Sequence, residues 1–239
     1  PAELAELSQA FNAMLGRLDD AFQRLSAFSA DIAHELRTPL SNLLTHTQVT
    51  LTRPRDLEAY REALLGNLEE LQWMAQMVND MLYLAKAEHG LLNPNRERLQ
   101  LSDEVDALLE FFLPLAEEAQ VALSREGEAV LEGDRHMLRR ALSNLLDNAL
   151  RFTPAQGQVS VRLESSAQRV GIRIENNGQT IPADVLPRLF DRFYRADPAR
   201  HAGSSEHAGL GLAITQPIIR APGGTPRGAS AAGAARRLV

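Results

Sequence analysis

The sequence predicts an α+β chain, a long helical hairpin followed by a mixed α/β domain. Three observations carry this. Two heptad runs are separated by a short proline-containing turn. The helical pattern stops at His89-Gly90-Leu91-Leu92-Asn93-Pro94. Beyond that point, segments of alternating polarity flank an amphipathic helical stretch.

The first run is Leu4, Leu7, Phe11, Met14, Leu18, Ala21, Leu25, Phe28 and Ile32, with steps alternating between three and four residues. This is a coiled-coil seam. The next seam residues, Leu36 and Leu40, follow at four-residue steps, a stutter that locally unwinds a supercoil. Pro39 falls in the same place; it removes a backbone donor and crowds the carbonyl four residues back, so a kink is expected. The segment 52–56 reads as a turn. The second run is Leu57, Tyr60, Leu64, Asn67, Leu71, Met74, Val78, Met81 and Ala85. Two such helices present one apolar face each, and two copies of the hairpin bury those faces as a four-helix bundle, so a homodimer is expected. The heptads alone fit a purely structural coiled coil equally well.

Past residue 94, residues 103–119 read as a helix. Val159, Val161 and Leu163, and Val170, Ile172 and Ile174, alternate with polar residues as half-buried strands do. Residues 135–151 form an amphipathic helix with Leu138, Ala141, Leu142, Leu145 and Ala149 on one face.

Composition narrows the function. The 239 residues carry a net charge of −6, without the broad basic footprint of a nucleic-acid binder. There is no cysteine, which excludes disulfides and thiolate metal sites and fits a reducing compartment. No apolar run reaches the 18 or so residues needed to cross a bilayer. The sequence starts at Pro1, not Met, and is read as a piece of something longer, with any membrane anchor or sensor upstream.

His34 lies midway between seam residues Ile32 and Leu36, roughly opposite the apolar stripe. Neutral imidazole has a lone pair near pH 7, so a solvent-facing histidine there can act as a nucleophile. Arg37 and Thr38 neighbour it on the helix surface. In the helix 135–151, Asn144 and Asn148 share a polar face with Arg151, and amide oxygens suit Mg²⁺.

The string from Phe28 to Leu40, with Ala33-His34-Glu35-Leu36-Arg37-Thr38-Pro39-Leu40, closely resembles the phosphoacceptor box of bacterial sensor histidine kinases. The string Leu142 to Pro154 resembles the N box of that family, Ile174 to Ile181 its first glycine box, Leu189 to Arg195 its F box, and Gly209-Leu210-Gly211-Leu212 its second glycine box. The first 24 residues, including Phe11-Asn12-Ala13-Met14-Leu15, resemble the end of a HAMP signal-relay module. Within the family, the resemblance is nearest to the copper- and silver-sensing subgroup.

The resemblance implies an α/β-sandwich ATP-binding domain of the GHKL (Bergerat) type. It implies that His34 takes the γ-phosphoryl group of ATP, that Glu35 accepts the imidazole proton, and that Thr38 orients water for dephosphorylation of the partner. It implies that Asn148 holds Mg²⁺, that Asn144 and Arg151 contact phosphates, and that Asn176 meets the adenine amino group. Gly178, Gly209 and Gly211 bring backbone to the nucleotide, and Phe190, Phe193 and Tyr194 pack its lid, a mobile segment ending at 201–207. The implied partners are a second copy and a response-regulator receiver domain. The implied place is the cytoplasmic side of the bacterial inner membrane.

Four departures stand out. Arg151 replaces a common lysine, Asn176 the usual adenine-binding aspartate, Thr180 a glycine, and His207 the first glycine of its box. The expected organisation is 1–24 for the relay end, 25–92 for dimerisation and phosphotransfer, 93–224 for ATP binding, and 225–239 for a disordered or aberrant tail. Pro217, Pro222 and Pro226 interrupt the end of the chain, and no β-branched or aromatic residue occurs from Ala229 to Arg237. The alternative is a degenerate, non-catalytic dimerisation and docking fragment of such a kinase.

Overall fold

The computed structural model describes residues 2–88, 90–166, 169–194, 209–220, 228–231 and 234–238. The expected end of the lid, 201–207, lies outside them. The chain divides into two compact units, Pro1–Ala75 and Gln76–Val239.

The first unit is built from α1 (Ala2–Leu51) and the first part of α2 (Leu57–Glu88). Asp56 starts α2: its carboxylate accepts the Ala59 amide at 2.8 Å, satisfying a donor that a helix N-terminus leaves free. Pro39 sits inside α1 and is buried. Asn67, on the heptad seam of α2, donates to Thr47 Oγ1 at 3.0 Å, and its Oδ1 lies 3.0 Å from His46 Nδ1 on α1. A polar residue at a seam position fixes register at some cost in stability. Among the described seam leucines, Leu18 is 65% exposed and Leu64 69% in the single chain.

The second unit starts at Gln76, within α2. The last turns of α2 belong to it, and their buried stripe is Met77, Met81 and Leu84, whereas the heptad reading had placed Val78 and Ala85 there. Arg140 stacks on the Tyr83 ring at 4.3 Å and donates to Asp80. Burial pushes the Tyr83 phenol up, against the pull of the Arg140 charge.

After α2, β1 (Glu97–Gln100) pairs antiparallel with β3 (Val130–Gly133). The second sheet has the order β2-β4-β5-β7-β6, from β2 (Ala122–Glu126), β4 (Gln158–Ser165), β5 (Val170–Asn176), β6 (Gly228–Ala231) and β7 (Ala234–Leu238). The β2–β4 pair is parallel and the others antiparallel. Val159, Val161 and Leu163 of β4 and Ile174 of β5 point into one core with α3 (Leu101–Glu118) and α4 (Arg135–Arg151), through Leu101, Val105, Leu142 and Leu146. The expected strands and the helix 135–151 are found where the pattern put them. Strands β1 to β3 were not foreseen; they are four or five residues long, too short to display a period.

Two expectations at the C-terminus are corrected. The helix α5 (Gly211–Arg220) runs through Pro217 without ending there. Residues 228–231 and 234–238 are strands, not a disordered tail, with Ile174 opposite Leu238 and Asn176 opposite Arg236. A strand ladder is held by backbone hydrogen bonds, which any non-proline residue supplies whatever its side chain. Residues 225–227, with Pro226, lie outside the described residues.

Candidate functional site

His34 stands on α1 with its side chain exposed, as do Arg37 and Thr38, whereas Glu35 and Leu36 are half-buried. The opposite-face placement read from the heptads therefore holds in the single chain. His34, Glu35 and Thr38 belong to the first unit and every other candidate residue to the second.

In the second unit, α4 is the positioning element. Asp134 caps it: its carboxylate accepts the Met137 amide at 2.9 Å and the Asn95 amide at 2.8 Å. These donors favour the charged form, Met137 most, and hold the Asp134 carboxyl below the usual carboxylate range despite some desolvation. Ala141, Leu142, Leu145, Leu146 and Ala149 face the core, so the helical period turns Asn144, Asn148 and Arg151 to the half-buried rim.

The N-box helix meets the second glycine box directly. Asn144 Nδ2 donates to the Gly211 carbonyl at 3.1 Å. With its NH₂ committed there, Asn144 turns its Oδ1 elsewhere. The two glycines of that box differ in what they require. A Cβ on Gly211 would make ordinary contact with Asn144 at 3.6 Å. Gly209 has φ +68°, and a Cβ there would lie 2.9 Å from the Phe193 carbonyl carbon. Only glycine fits at 209. The Phe193 amide donates to the Gly209 carbonyl at 3.2 Å, so the F box and the glycine box are joined, and Phe193 itself sits at φ +58°. Phe190 has another setting: it lines a cavity of about 190 Å³ with Arg192, with Leu84 and Ala87 of α2, and with Ala213 and Pro217 of α5.

At the end of β5, Asn176 is 4% exposed and donates from Nδ2 to Thr153 Oγ1 at 3.0 Å. Thr153 in turn donates to the Ala149 carbonyl of α4 at 2.6 Å. Asn177 locks the following turn: its Oδ1 accepts the Gln158 amide at 2.7 Å. The Gly178 amide donates to the Asn176 carbonyl at 3.0 Å. Thus the structure brings together Asn144 with Gly211, Phe193 with Gly209, and Asn176 with the end of α4. Thr153 and Arg140 were missed. Thr153 lay inside the quoted N-box string, but nothing in the sequence pairs it with Asn176, 23 residues away.

The residues present fit a Mg²⁺–nucleotide complex. Asn144 and Asn148 offer neutral amide oxygens one helical turn apart, a set that leaves the charge to be supplied by phosphates. No group of three or more His, Cys, Asp or Glu able to hold a metal ion occurs among the described residues.

Two family models match the chain. Residues 24–90 match the His Kinase A (phospho-acceptor) domain, and residues 133–235 the histidine kinase-, DNA gyrase B- and HSP90-like ATPase. The chain is 50% identical over 226 residues to the probable sensor protein PcoS of Escherichia coli, covering 94% of this chain and 48% of that protein. It is 48% identical to the sensor histidine kinase CusS of Escherichia coli K12, covering 94% and 47%. The chain thus spans about half the length of the curated relatives it matches. The fold is that of the Acinetobacter baumannii histidine kinase AdeS, at TM-score 0.71 and 24% identity over 86% of this chain and 95% of that one. It is also that of histidine kinase ThkA, solved in complex with response regulator protein TrrA, at TM-score 0.72 and 20% identity over 90% of this chain and 62% of that one.

Proposed function

The chain belongs to the sensor histidine kinase family, and on that premise we propose that it moves the γ-phosphoryl group of ATP to its own His34 and then to an aspartate of a response regulator. The observation that carries the nucleotide half is the Asn144–Gly211 contact, which sets the polar face of α4 against the backbone of the second glycine box. The exposed His34 within its box carries the acceptor half.

In this reading an imidazole nitrogen of His34 attacks the γ-phosphorus. A P–N bond forms, the bond to the ADP oxygen breaks, and Glu35 takes the proton from the other ring nitrogen. Phosphoryl transfer needs positioning and charge stabilisation more than covalent help from the protein. Asn148 would hold Mg²⁺, whose charge would offset that of the phosphates, and Asn144 would contact phosphate. Arg151 contacts phosphate, Asn176 the adenine amino group, and Gly178, Gly209 and Gly211 the nucleotide along its length. Thr38 orients the water that dephosphorylates the regulator.

A second copy covers the exposed heptad seam to complete a four-helix bundle, and the receiver domain docks on that bundle. Residues 1–24 end a relay module, 25–92 form the dimerisation and phosphotransfer domain, and the ATP-binding domain follows from 93. Attachment to the cytoplasmic face of the inner membrane is through segments upstream.

Incubation with γ-labelled ATP tests the proposal. The chain should take up label that is lost in acid and kept in base, as a phosphohistidine is. His34→Gln should abolish labelling and leave nucleotide binding unchanged; undiminished labelling of that variant would sink the assignment.

A further inference from the structure

We propose that Thr153 sets the nucleobase choice of the site by fixing which way round the Asn176 amide stands. The inference rests on the nucleotide-binding reading above and names a positioning residue within it. A carboxylate at position 176 would only accept hydrogen bonds. An amide has an accepting side and a donating side, so left to itself it matches a purine 6-amino group one way round and a 6-keto group the other.

The bonds around Thr153 remove that freedom. Its hydroxyl has one proton, and Oγ1 lies 2.6 Å from the Ala149 carbonyl, which can only accept. The proton is therefore spent on Ala149. Towards Asn176, 3.0 Å away, Oγ1 is an acceptor, so the amide must turn its NH₂ to Thr153. Oδ1 is left on the other side, and no hydrogen bond from a described residue reaches it. Asn176 is 4% exposed and Thr153 8%, so water does not readily repair a wrong orientation. Inverting the amide would set Oδ1 against the lone pairs of Oγ1, or cost Thr153 its bond to Ala149; either leaves a buried polar group unsatisfied. The neutral amide thus acquires the accepting polarity of a carboxylate. It takes a hydrogen bond from the 6-amino group of adenine and repels the 6-keto group of hypoxanthine or guanine.

Titrating the full chain with ADP and with IDP, in the presence of Mg²⁺, tests this, because the two differ at the purine 6-position. The parent should bind ADP at least about tenfold more tightly. Thr153→Val keeps the shape and removes the hydroxyl. It should bring the two affinities within about threefold, with IDP binding gaining as ADP binding falls, an outcome that a merely structural role for Thr153 does not produce. Thr153→Ser should restore the parent's ratio. Asn176→Asp accepts on both sides, so adding Thr153→Val to it should leave the ADP preference in place. A Thr153→Val protein with the parent's ratio overturns this inference alone. So does a parent that binds both diphosphates equally, a result that needs no variant to fold. A parent that binds neither overturns the nucleotide reading and this inference with it.

Discussion

The two units handle apolar surface in opposite ways. In the α/β unit, Leu146, Val161 and Ile174 are buried within the chain's own layers. In the helical unit, Leu18, Leu64 and Leu71 repeat with equal regularity and stay exposed. The same residue types on the same 3.5-residue or two-residue rhythm therefore mean different things. One set is a finished core. The other is left open in the single chain, and in the proposed dimer a second copy would complete it. The polar contacts follow the same division: His46, Thr47 and Asn67 fix the register of the helical pair, while Arg140 ties α4 to the end of α2.

The sharpest way to break this comparison is to cut one leucine from each unit. Leu146→Ala should destabilise the α/β unit by about 2–5 kcal/mol, the range for emptying a packed core position, with a melting temperature independent of protein concentration. Leu64→Ala should act on association instead. The melting of the helical unit should become more concentration-dependent, and sedimentation should show a weaker dimer. If Leu64→Ala leaves both sedimentation and melting unchanged, the seam is not an interface and the contrast fails.

A smaller effect, confined to the α/β unit, is expected from Asn148→Ala. Losing one oxygen ligand should cost on the order of a few kcal/mol of nucleotide binding in Mg²⁺ and little without it. Labelled-nucleotide titrations with and without Mg²⁺ measure the difference. Equal affinities for variant and parent in Mg²⁺ would refute the role, and unit one should melt as before in either case.

Legibility in the sequence also divided between the units. The helical pair was readable because its order is local: the heptads and the turn at 52–56 lie within a few residues of what they govern. At the end of α2 the buried residues are Met77, Met81 and Leu84, of which the heptad seam marks only Met81. In the α/β unit the boundaries of α4 followed from its amphipathic period. The short strands β1 to β3 and the closing pair β6 and β7 did not, since backbone pairing leaves no mark on side-chain pattern when strands are this short or this poor in apolar residues. The boxes were legible as strings. Their joints, Asn144 to Gly211 and Thr153 to Asn176, span 67 and 23 residues and emerge only on folding.

The smallest expected effect separates the units by pH. Asp134 caps α4 and also receives the amide of Asn95, where the chain leaves α2 for the first strand. Both bonds are accepted by the carboxylate, so its folded pKa is lowered, first by the Met137 amide. The unfolded chain titrates near the ordinary aspartate value of about 3.9. The native state therefore binds fewer protons than the unfolded state between those two values, and stability rises with pH across that window. The stabilisation is present above about pH 4 and is lost as pH falls through the lowered folded value. Asp134→Ala should cost about 1 kcal/mol at pH 7, as loss of a helix cap does. That gap should shrink as pH falls from about 4, where the unfolded carboxylate protonates first, and it is gone once pH has passed the lowered folded value. Asp134→Asn keeps an accepting oxygen for the Met137 amide, so it should retain most of the stability while losing the acid-dependent part. The helical unit contains no part of this cap and should show none of the difference. Urea unfolding of parent, Asp134→Ala and Asp134→Asn at pH 3 and pH 7, followed by a probe of the α/β unit, decides the point: a parent-to-alanine gap that is the same at both pH values means the cap works without its charge.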